Sequence, residues 1–331
     1  MTIDLIHGAN PENLYKAFNL LMPEKISDFS TNANILSWPD IDLKNLIALA
    51  SDYPDNECRR LKNIIAQREN IKPENILFTN GSNEAIFLLS RLLENKRTGI
   101  LQPAYSEYKR AFRNSGDLNN IGQSGNFEAV IFSNPCNPTG EYIKNIYGLA
   151  EKFINTFFII DEAYIDFVLT TERTPLQIHD NLIIIRSLTK IFKLAGTRIG
   201  YIIANEKIIN SLKNFTPYWN VNSIAQALAE KFLLHESFYN STRAFYKIYT
   251  PKFMDMIKNS GYKIIKSDVH YFLIEVDDDL KIIHALLKFG LVVRHTRNFK
   301  TLDGKYIRVA TRTPNENKLL AEILKKEREK S

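Results

Sequence analysis

The chain has 331 residues, 44% hydrophobic and 24% charged, an ordinary globular composition that excludes wholesale disorder. Lysine and arginine number 43 against 37 acidic residues, and the net charge of +6 suits an anionic small molecule as well as nucleic acid. Two cysteines, Cys58 and Cys136, leave no disulfide framework and point to a reducing compartment, and the absence of CxxC and HExxH argues against a zinc site.

At about 150 residues per domain, the length suggests two domains. The first fourteen residues, MTIDLIHGANPENL, lack a basic n-region and an apolar h-region, so no signal peptide is expected. The longest apolar runs fall far short of a membrane span, and a cytoplasmic location is expected. Strands are predicted at Ile76–Thr79, Gly99–Gln102, Ala129–Ser133, Phe157–Ile160 and Leu182–Ile185. These runs are apolar without alternation, as strands buried on both faces of a parallel sheet are. Amphipathic stretches at Asn83–Leu93 and Ile143–Asn155 read as crossover helices, which gives a doubly wound α/β sheet. Ser223 with Gln226 reads as a capping box opening a helix to about Leu234. Strands at Tyr271–Val276 and Tyr306–Ala310 lie among helices, so residues 236–331 read as a smaller α+β domain. Thr313-Pro314-Asn315-Glu316 opens a last helix with a buried stripe of Leu319, Leu320, Ile323 and Leu324.

Ligands on such sheets gather at the carboxyl ends of strands, and four unusual clusters fall there. Thr79-Asn80-Gly81-Ser82-Asn83-Glu84-Ala85 opens a helix with glycine and small polar residues, whose N–H groups suit phosphate. Ser133-Asn134-Pro135-Cys136-Asn137-Pro138-Thr139-Gly140 follows a strand with two Asn-Pro turns and can present an amide; alone it would be a turn. Asp161-Glu162-Ala163-Tyr164 follows the next strand. A carboxylate there suits a cationic ring nitrogen, with an N-cap aspartate as the plainer reading. Ser187-Leu188-Thr189-Lys190 precedes Leu194-Ala195-Gly196-Thr197-Arg198-Ile199-Gly200-Tyr201. A lysine just past a buried strand is costly unless deprotonated or paired, and a desolvated lysine is what Schiff-base chemistry requires. A lone lysine at a strand end would otherwise be a surface residue.

In this order the four clusters resemble the fold-type I pyridoxal-phosphate enzymes, the aspartate-aminotransferase superfamily, over nearly the whole chain. The resemblance implies a mostly parallel, doubly wound sheet with a smaller α+β domain and pyridoxal 5'-phosphate as cofactor. It implies an N-terminal arm and part of the small domain at 1–36, a large cofactor-binding domain at 37–235 and a small domain at 236–331. Lys190 would be the Schiff-base lysine, Asp161 the partner of the ring nitrogen, and Asn137 with Tyr164 the partners of the ring's 3-oxygen. Gly81, Ser82, Ser187 and Arg198 would bind the cofactor phosphate with Asn83 beside it, and Tyr105 would stack on the ring. Tyr53, in Asp52-Tyr53-Pro54-Asp55, resembles a tyrosine lent by the partner subunit, which implies a homodimer with shared active sites.

Two subgroups compete, histidinol-phosphate aminotransferase and the threonine-phosphate decarboxylase of cobalamin biosynthesis. His7-Gly8-Ala9-Asn10, Asp28-Phe29-Ser30-Thr31-Asn32, Pro217–Gln226, Asn298-Phe299 and Ile307–Pro314 resemble the decarboxylase more. The resemblance implies a small phosphorylated amino-acid substrate held by His7, Asn32, Asn137, Arg308 and Arg312. Guanidinium groups suit both of its anions. Asn34-Ile35-Leu36-Ser37-Trp38 departs from the family's usual Asn-Pro. Ile35, Ser37 and Trp38 are expected to narrow the space for a threonine methyl, which favours serine phosphate. A DNA-binding regulator would need an added helix-turn-helix, and a non-catalytic binding protein would normally lack the lysine or the aspartate. Neither nucleic acid nor membrane is an expected partner.

Overall fold

The computed structural model describes residues 8, 10–44, 46–170 and 172–330. A short strand β1 (Ser27–Asp28) precedes seven strands of one large sheet: β2 (Ile76–Thr79), β3 (Thr98–Leu101), β4 (Gly116–Leu118), β5 (Ala129–Ser133), β6 (Phe157–Asp161), β7 (Leu182–Ser187) and β8 (Gly200–Ile203). Their spatial order is β2-β8-β7-β6-β5-β3-β4. The pairs from β7 through β4 are parallel, and β8 alone runs against its neighbours β7 and β2. Strand β2 therefore points the same way as β5, β6 and β7, and all four carboxyl ends open on one edge. The non-alternating runs have a direct cause. Val130, Phe132, Phe158, Ile160 and Ile184 pack into one core, while Ala129, Ile131, Ile159, Ile183 and Ile185 pack into another on the opposite face.

Five more strands follow: β9 (Ile264–Ile265), β10 (Tyr271–Glu275), β11 (Leu291–Val292), β12 (Arg294–His295) and β13 (Tyr306–Ala310). Four make an antiparallel sheet in the order β12-β13-β10-β9, packed on a third core with the helices Glu236–Asn259 and Pro314–Glu329. Strand β11 instead pairs in parallel with β1, so the N-terminal segment is built into the C-terminal half.

Local chemistry decided the departures from the sequence reading. The helix expected over Ile143–Asn155 is only Gly148–Lys152. The Asn134 side chain bonds both N–H and C=O of Ile143, and Asn145 takes a left-handed φ of 54°, so the first turn cannot form. The helix Ser223–Leu233 is capped by Asn222, which accepts from the Ala225 N–H; Ser223 and Gln226 bond the loop carbonyls of Asp52 and Asp55. The Thr313–Glu316 capping box forms as expected. In its helix Leu319 is exposed, and Ala321 and Asn317 complete the buried stripe. Strand β8 was not anticipated, although the apolar run from Ile199 to Ala204 marked it.

Candidate active site

A cavity of about 240 Å³ opens at the carboxyl edge of the large sheet, against the small sheet and the segment after β1. Strands β5 and β6 pair Ser133 with Asp161, and β7 pairs Ser187 with Gly200 on β8, so the chemistry-bearing residues emerge at one level. At one end of the cavity lie Ser82 and Asn83, in the first turn of the helix Gly81–Leu92, together with Arg198. That turn offers unpaired backbone N–H groups and the positive end of the helix dipole. Gly81, at φ +74°, packs under Arg198: a Cβ there would meet the guanidinium at 2.6 Å, so glycine is what lets the arginine lie over the helix start. Ser187 does not line the cavity; its hydroxyl lies 2.7 Å from that of Thr189, which does.

Asp161 forms the floor and is 6% exposed. Its Oδ2 accepts from the Tyr108 hydroxyl at 2.8 Å and its Oδ1 from the Ala163 N–H at 3.0 Å. Both donors are uncharged, and burial pushes the carboxyl up to about 6. Among the described residues no ion pair reaches this buried acid, and the Lys190 charge lowers its pKa only as a minor influence. Lys190, Tyr164 and Asn137 line the same space. Tyr105 also lines it, its hydroxyl reaching Asn83 Oδ1 at 3.3 Å.

The opposite wall is basic. Arg308, on β13, is 6% exposed and donates to Asn137 Oδ1 at 2.5 Å and to the Ser30 carbonyl at 2.8 Å. Its Nε has no partner, and burial lowers its pKa. Arg294, on the neighbouring β12, is also buried and is pushed down to about 9 by burial, with Arg308 adding repulsion. Both guanidiniums keep their charge at neutral pH. Asn32 lines this end, 3% exposed, with neither its amide nitrogen nor its oxygen bonded. Buried polar groups are normally satisfied, so these open valences face where a ligand would sit.

Asn32, Ser82, Asn83, Tyr105, Asn137, Asp161, Tyr164, Lys190, Arg198 and Arg308 thus meet at one cavity, whereas Gly81 and Ser187 do not line it and touch it through Arg198 and Thr189. Others are elsewhere. Arg312 turns away: its Nε bonds Glu316 at 2.8 Å, its Nη1 the Asp28 carbonyl at 2.9 Å, and it lies over the Phe29 ring. Tyr53 is 79% exposed and stacks on Trp219 at 4.5 Å, outside its own chain's cavity. His7 lies outside the described residues. Ile35, Ser37 and Trp38 do not line the cavity; Trp38 packs edge-on against Phe232. That removes the steric ground for expecting serine phosphate to be preferred. The sequence reading missed Arg294 and Tyr108. An arginine straight after the apolar Leu291-Val292-Val293 was as conspicuous as the lysine after β7, and it stands four residues before Asn298, which it bonds at 3.0 Å.

The donor set fits pyridoxal 5'-phosphate. A phosphate would be held by Ser82, Asn83 and Arg198 at the helix start, a cationic ring nitrogen would supply what Asp161 lacks, and Lys190 lies within the same walls. Among the described residues no cluster suits a metal, and no helix is long and apolar enough to cross a membrane.

Comparison with known proteins agrees. The chain matches the family described as aminotransferase class I and II over residues 9–116 and 118–324. It is 31% identical to an adenosylcobalamin biosynthesis bifunctional protein of Leptospira interrogans, over 94% of this chain and 40% of that protein, so it spans well under half of that relative. It is 30% identical to a protein of Caldanaerobacter subterraneus provisionally named a threonine-phosphate decarboxylase, over 83% of each chain. A histidinol-phosphate aminotransferase of Thermoanaerobacter pseudethanolicus is 28% identical over 82% of this chain and 85% of its own. The crystal structure of L-threonine-O-3-phosphate decarboxylase from Porphyromonas gingivalis superposes with a TM-score of 0.82 at 25% identity, covering 91% of this chain and 99% of that one. A histidinol-phosphate aminotransferase from Sinorhizobium meliloti in complex with pyridoxal-5'-phosphate shares the fold, with a TM-score of 0.81 at 18% identity over 96% and 95% of the two chains. With a match across both halves and a cavity whose donors suit the cofactor, the chain belongs to the class I and II aminotransferase family, and its cofactor is pyridoxal 5'-phosphate.

Proposed function

We propose that the protein decarboxylates an O-phospho-amino acid, O-phospho-L-threonine or O-phospho-L-serine, to an amino alcohol phosphate and CO2, as a step in cobamide synthesis. The observation that carries the reading is the pair of buried guanidiniums, Arg294 and Arg308, on one wall of a cavity whose floor holds Asp161 and whose lining includes Lys190. Two cations match a substrate with two anions, a phosphate and a carboxylate. The names of the Leptospira and Caldanaerobacter relatives point the same way.

The cofactor, when bound, accepts the electron pair of whichever bond breaks at the substrate's Cα. Asp161 would keep a ring nitrogen protonated, with Tyr108 and Ala163 fixing the carboxylate. Arg294 and Arg308 would hold the two anions and so select which bond at Cα is placed to break. With the carboxylate so placed, the Cα–carboxylate bond would be the one to break, CO2 would leave, and the Lys190 ammonium would supply the proton that takes its place at Cα. Asn137 accepts from Arg308 and ties the arginine wall to the loop after β5.

The same reading takes residues 1–36 as an N-terminal arm and part of the small domain, 37–235 as the large cofactor-binding domain and 236–331 as the rest of the small domain. It makes the active unit a homodimer in which Tyr53, turned away from its own cavity, serves the partner's. Mixing Tyr53→Ala with Lys190→Ala subunits should then restore activity that neither has alone. Histidinol-phosphate aminotransferase is the second reading, favoured by the relative at 28% identity. The test is incubation of the holoenzyme with each phosphate ester, scoring CO2 release and amino transfer to 2-oxoglutarate separately. CO2 from either phospho-amino acid supports the proposal. Transamination of histidinol phosphate without CO2 overturns it.

A further inference from the structure

The segment Ser30–Asn34 crosses from the small sheet to the lysine loop, and alternate residues are tied down along it. Arg308 donates to the Ser30 carbonyl, and the Asn34 N–H donates to the Lys190 carbonyl at 2.9 Å. The Asn34 side chain is spent on the Ile191 carbonyl and on Thr242. Between these anchors stands Asn32, whose side chain alone is unbonded and lines the cavity. Its own backbone is held from one side: His270 Nε2 lies 2.9 Å from the Asn32 carbonyl oxygen.

His270 is fully buried, and its Nδ1 has no partner. A carbonyl oxygen only accepts, so the ring proton sits on Nε2 and Nδ1 is bare. Four aromatic rings enclose it: Phe167 at 3.8 Å between centroids, Tyr246 at 4.8 Å, Tyr271 at 5.4 Å and Tyr164 at 6.3 Å. Burial drives its pKa down to about 3, with Arg308 and Lys190 adding repulsion, so the ring stays a neutral single donor. A histidine enclosed this way has one job available to it, the bond to Asn32.

We infer that His270 is a positioning residue for substrate recognition: its Nε2–H fixes the Asn32 backbone so that the Asn32 amide, a donor and an acceptor together, reads a polar group of the phosphorylated substrate. The inference rests on the reading above for the substrate class. It is separable from the arginine clamp, because His270 does not line the cavity and its hydrogen bond goes to the Asn32 carbonyl.

The test uses the holoenzyme with two probes, O-phospho-L-threonine for turnover and O-phosphoethanolamine, which has no carboxylate to lose, for calorimetric affinity. His270→Leu removes the donor and should raise KM and the O-phosphoethanolamine Kd about tenfold, with kcat within about threefold and the cofactor absorbance unchanged. His270→Gln places an amide N–H near the Nε2 position and should recover most of the loss. In an Asn32→Ala background His270→Leu should add less than about twofold, since the residue it positions is gone. Unchanged KM in His270→Leu, equal loss in the Leu and Gln variants, or full additivity with Asn32→Ala each overturns the inference. Should His270→Leu not fold, His270→Phe keeps the ring stack, drops the N–H and takes its place. If neither phospho-amino acid is turned over but histidinol phosphate is, the proposed reaction has failed, and the same variants on histidinol phosphate decide the role of His270 independently.

Discussion

The two halves of the cavity are built differently. The half suited to the cofactor is made from contiguous stretches at strand ends: Gly81-Ser82-Asn83 after β2, Asp161 through Tyr164 at the end of β6, Ser187 through Lys190 at the end of β7. The half suited to the substrate is assembled from Ser30–Asn32, Asn137, Arg294, Asn298 and Arg308, brought together by the β1–β11 pair and the small antiparallel sheet. In the first half a local motif suffices to fix geometry, because a strand end and a helix start point their groups the same way wherever they occur. In the second, position depends on which distant strands pair, and that is a tertiary fact.

Breaking the first half should cost most. Lys190→Ala should lower kcat by about a thousandfold or more and abolish the bound-cofactor absorbance band, measured by single-turnover kinetics and spectroscopy. Normal turnover in that variant would remove the lysine from the reaction. The second half sharpens through its two arginines and through Arg312, which lies outside it. Arg294→Lys and Arg308→Lys should each raise KM for the phospho-amino acid by roughly 10- to 100-fold with the cofactor spectrum intact, since lysine cannot reproduce the fork. Arg312→Lys should stay within about threefold, because its partners are Glu316 and the Asp28 carbonyl. Steady-state kinetics on all three variants decides it, and a large KM effect at Arg312 would return that residue to the substrate.

A further contrast is in acid. His270 is held neutral with its pKa pushed down from the ordinary 6.5 to about 3, so the unfolded chain takes up a proton on this residue that the native protein does not. Its contribution to stability is complete above about pH 6.5 and is lost as pH falls toward 3, roughly 2 kcal/mol by pH 5. Asp161 works oppositely in the apoprotein: with its pKa raised, stability linked to it is present at low pH and lost as pH rises from about 4 through 6. Denaturant titrations of wild type and His270→Gln between pH 5 and 8 isolate the histidine, and parallel curves would contradict it. A moderate effect is expected of Tyr108→Phe. Loss of that donor raises the Asp161 pKa further and should weaken cofactor binding about tenfold, the midpoint of its pH dependence moving upward. Cofactor dissociation constants against pH measure both.

The same division governs what was legible in the sequence. The buried strands Ile76–Thr79, Ala129–Ser133 and Tyr306–Ala310 appear with the expected bounds, because double-sided burial writes itself as an unbroken apolar run. Asp161 and Lys190 were visible as polar residues placed straight after such runs. Arg312 and Arg308 could not be told apart by type or spacing. Strand β13 ends at Ala310, so Arg308 lies within the sheet facing the cavity wall, while Arg312 enters the helix cap and meets Glu316. Strand β8 was marked by its apolar run, but its antiparallel direction is a property of the pairing and leaves no local mark.

The pairing of β1 with β11 also sets an order of assembly. Residues 27–28 find their partners at 291–292, so during synthesis the N-terminal segment waits for nearly the whole chain, whereas strands β2 to β8 are complete by residue 203. A nascent chain released soon after residue 235 would carry the strand ends that face the cofactor but neither of the buried arginines that answer the substrate. In the cell, recognition would therefore arrive last. On the ribosome, the groups that face the cofactor are thus made before the two arginines that answer the substrate.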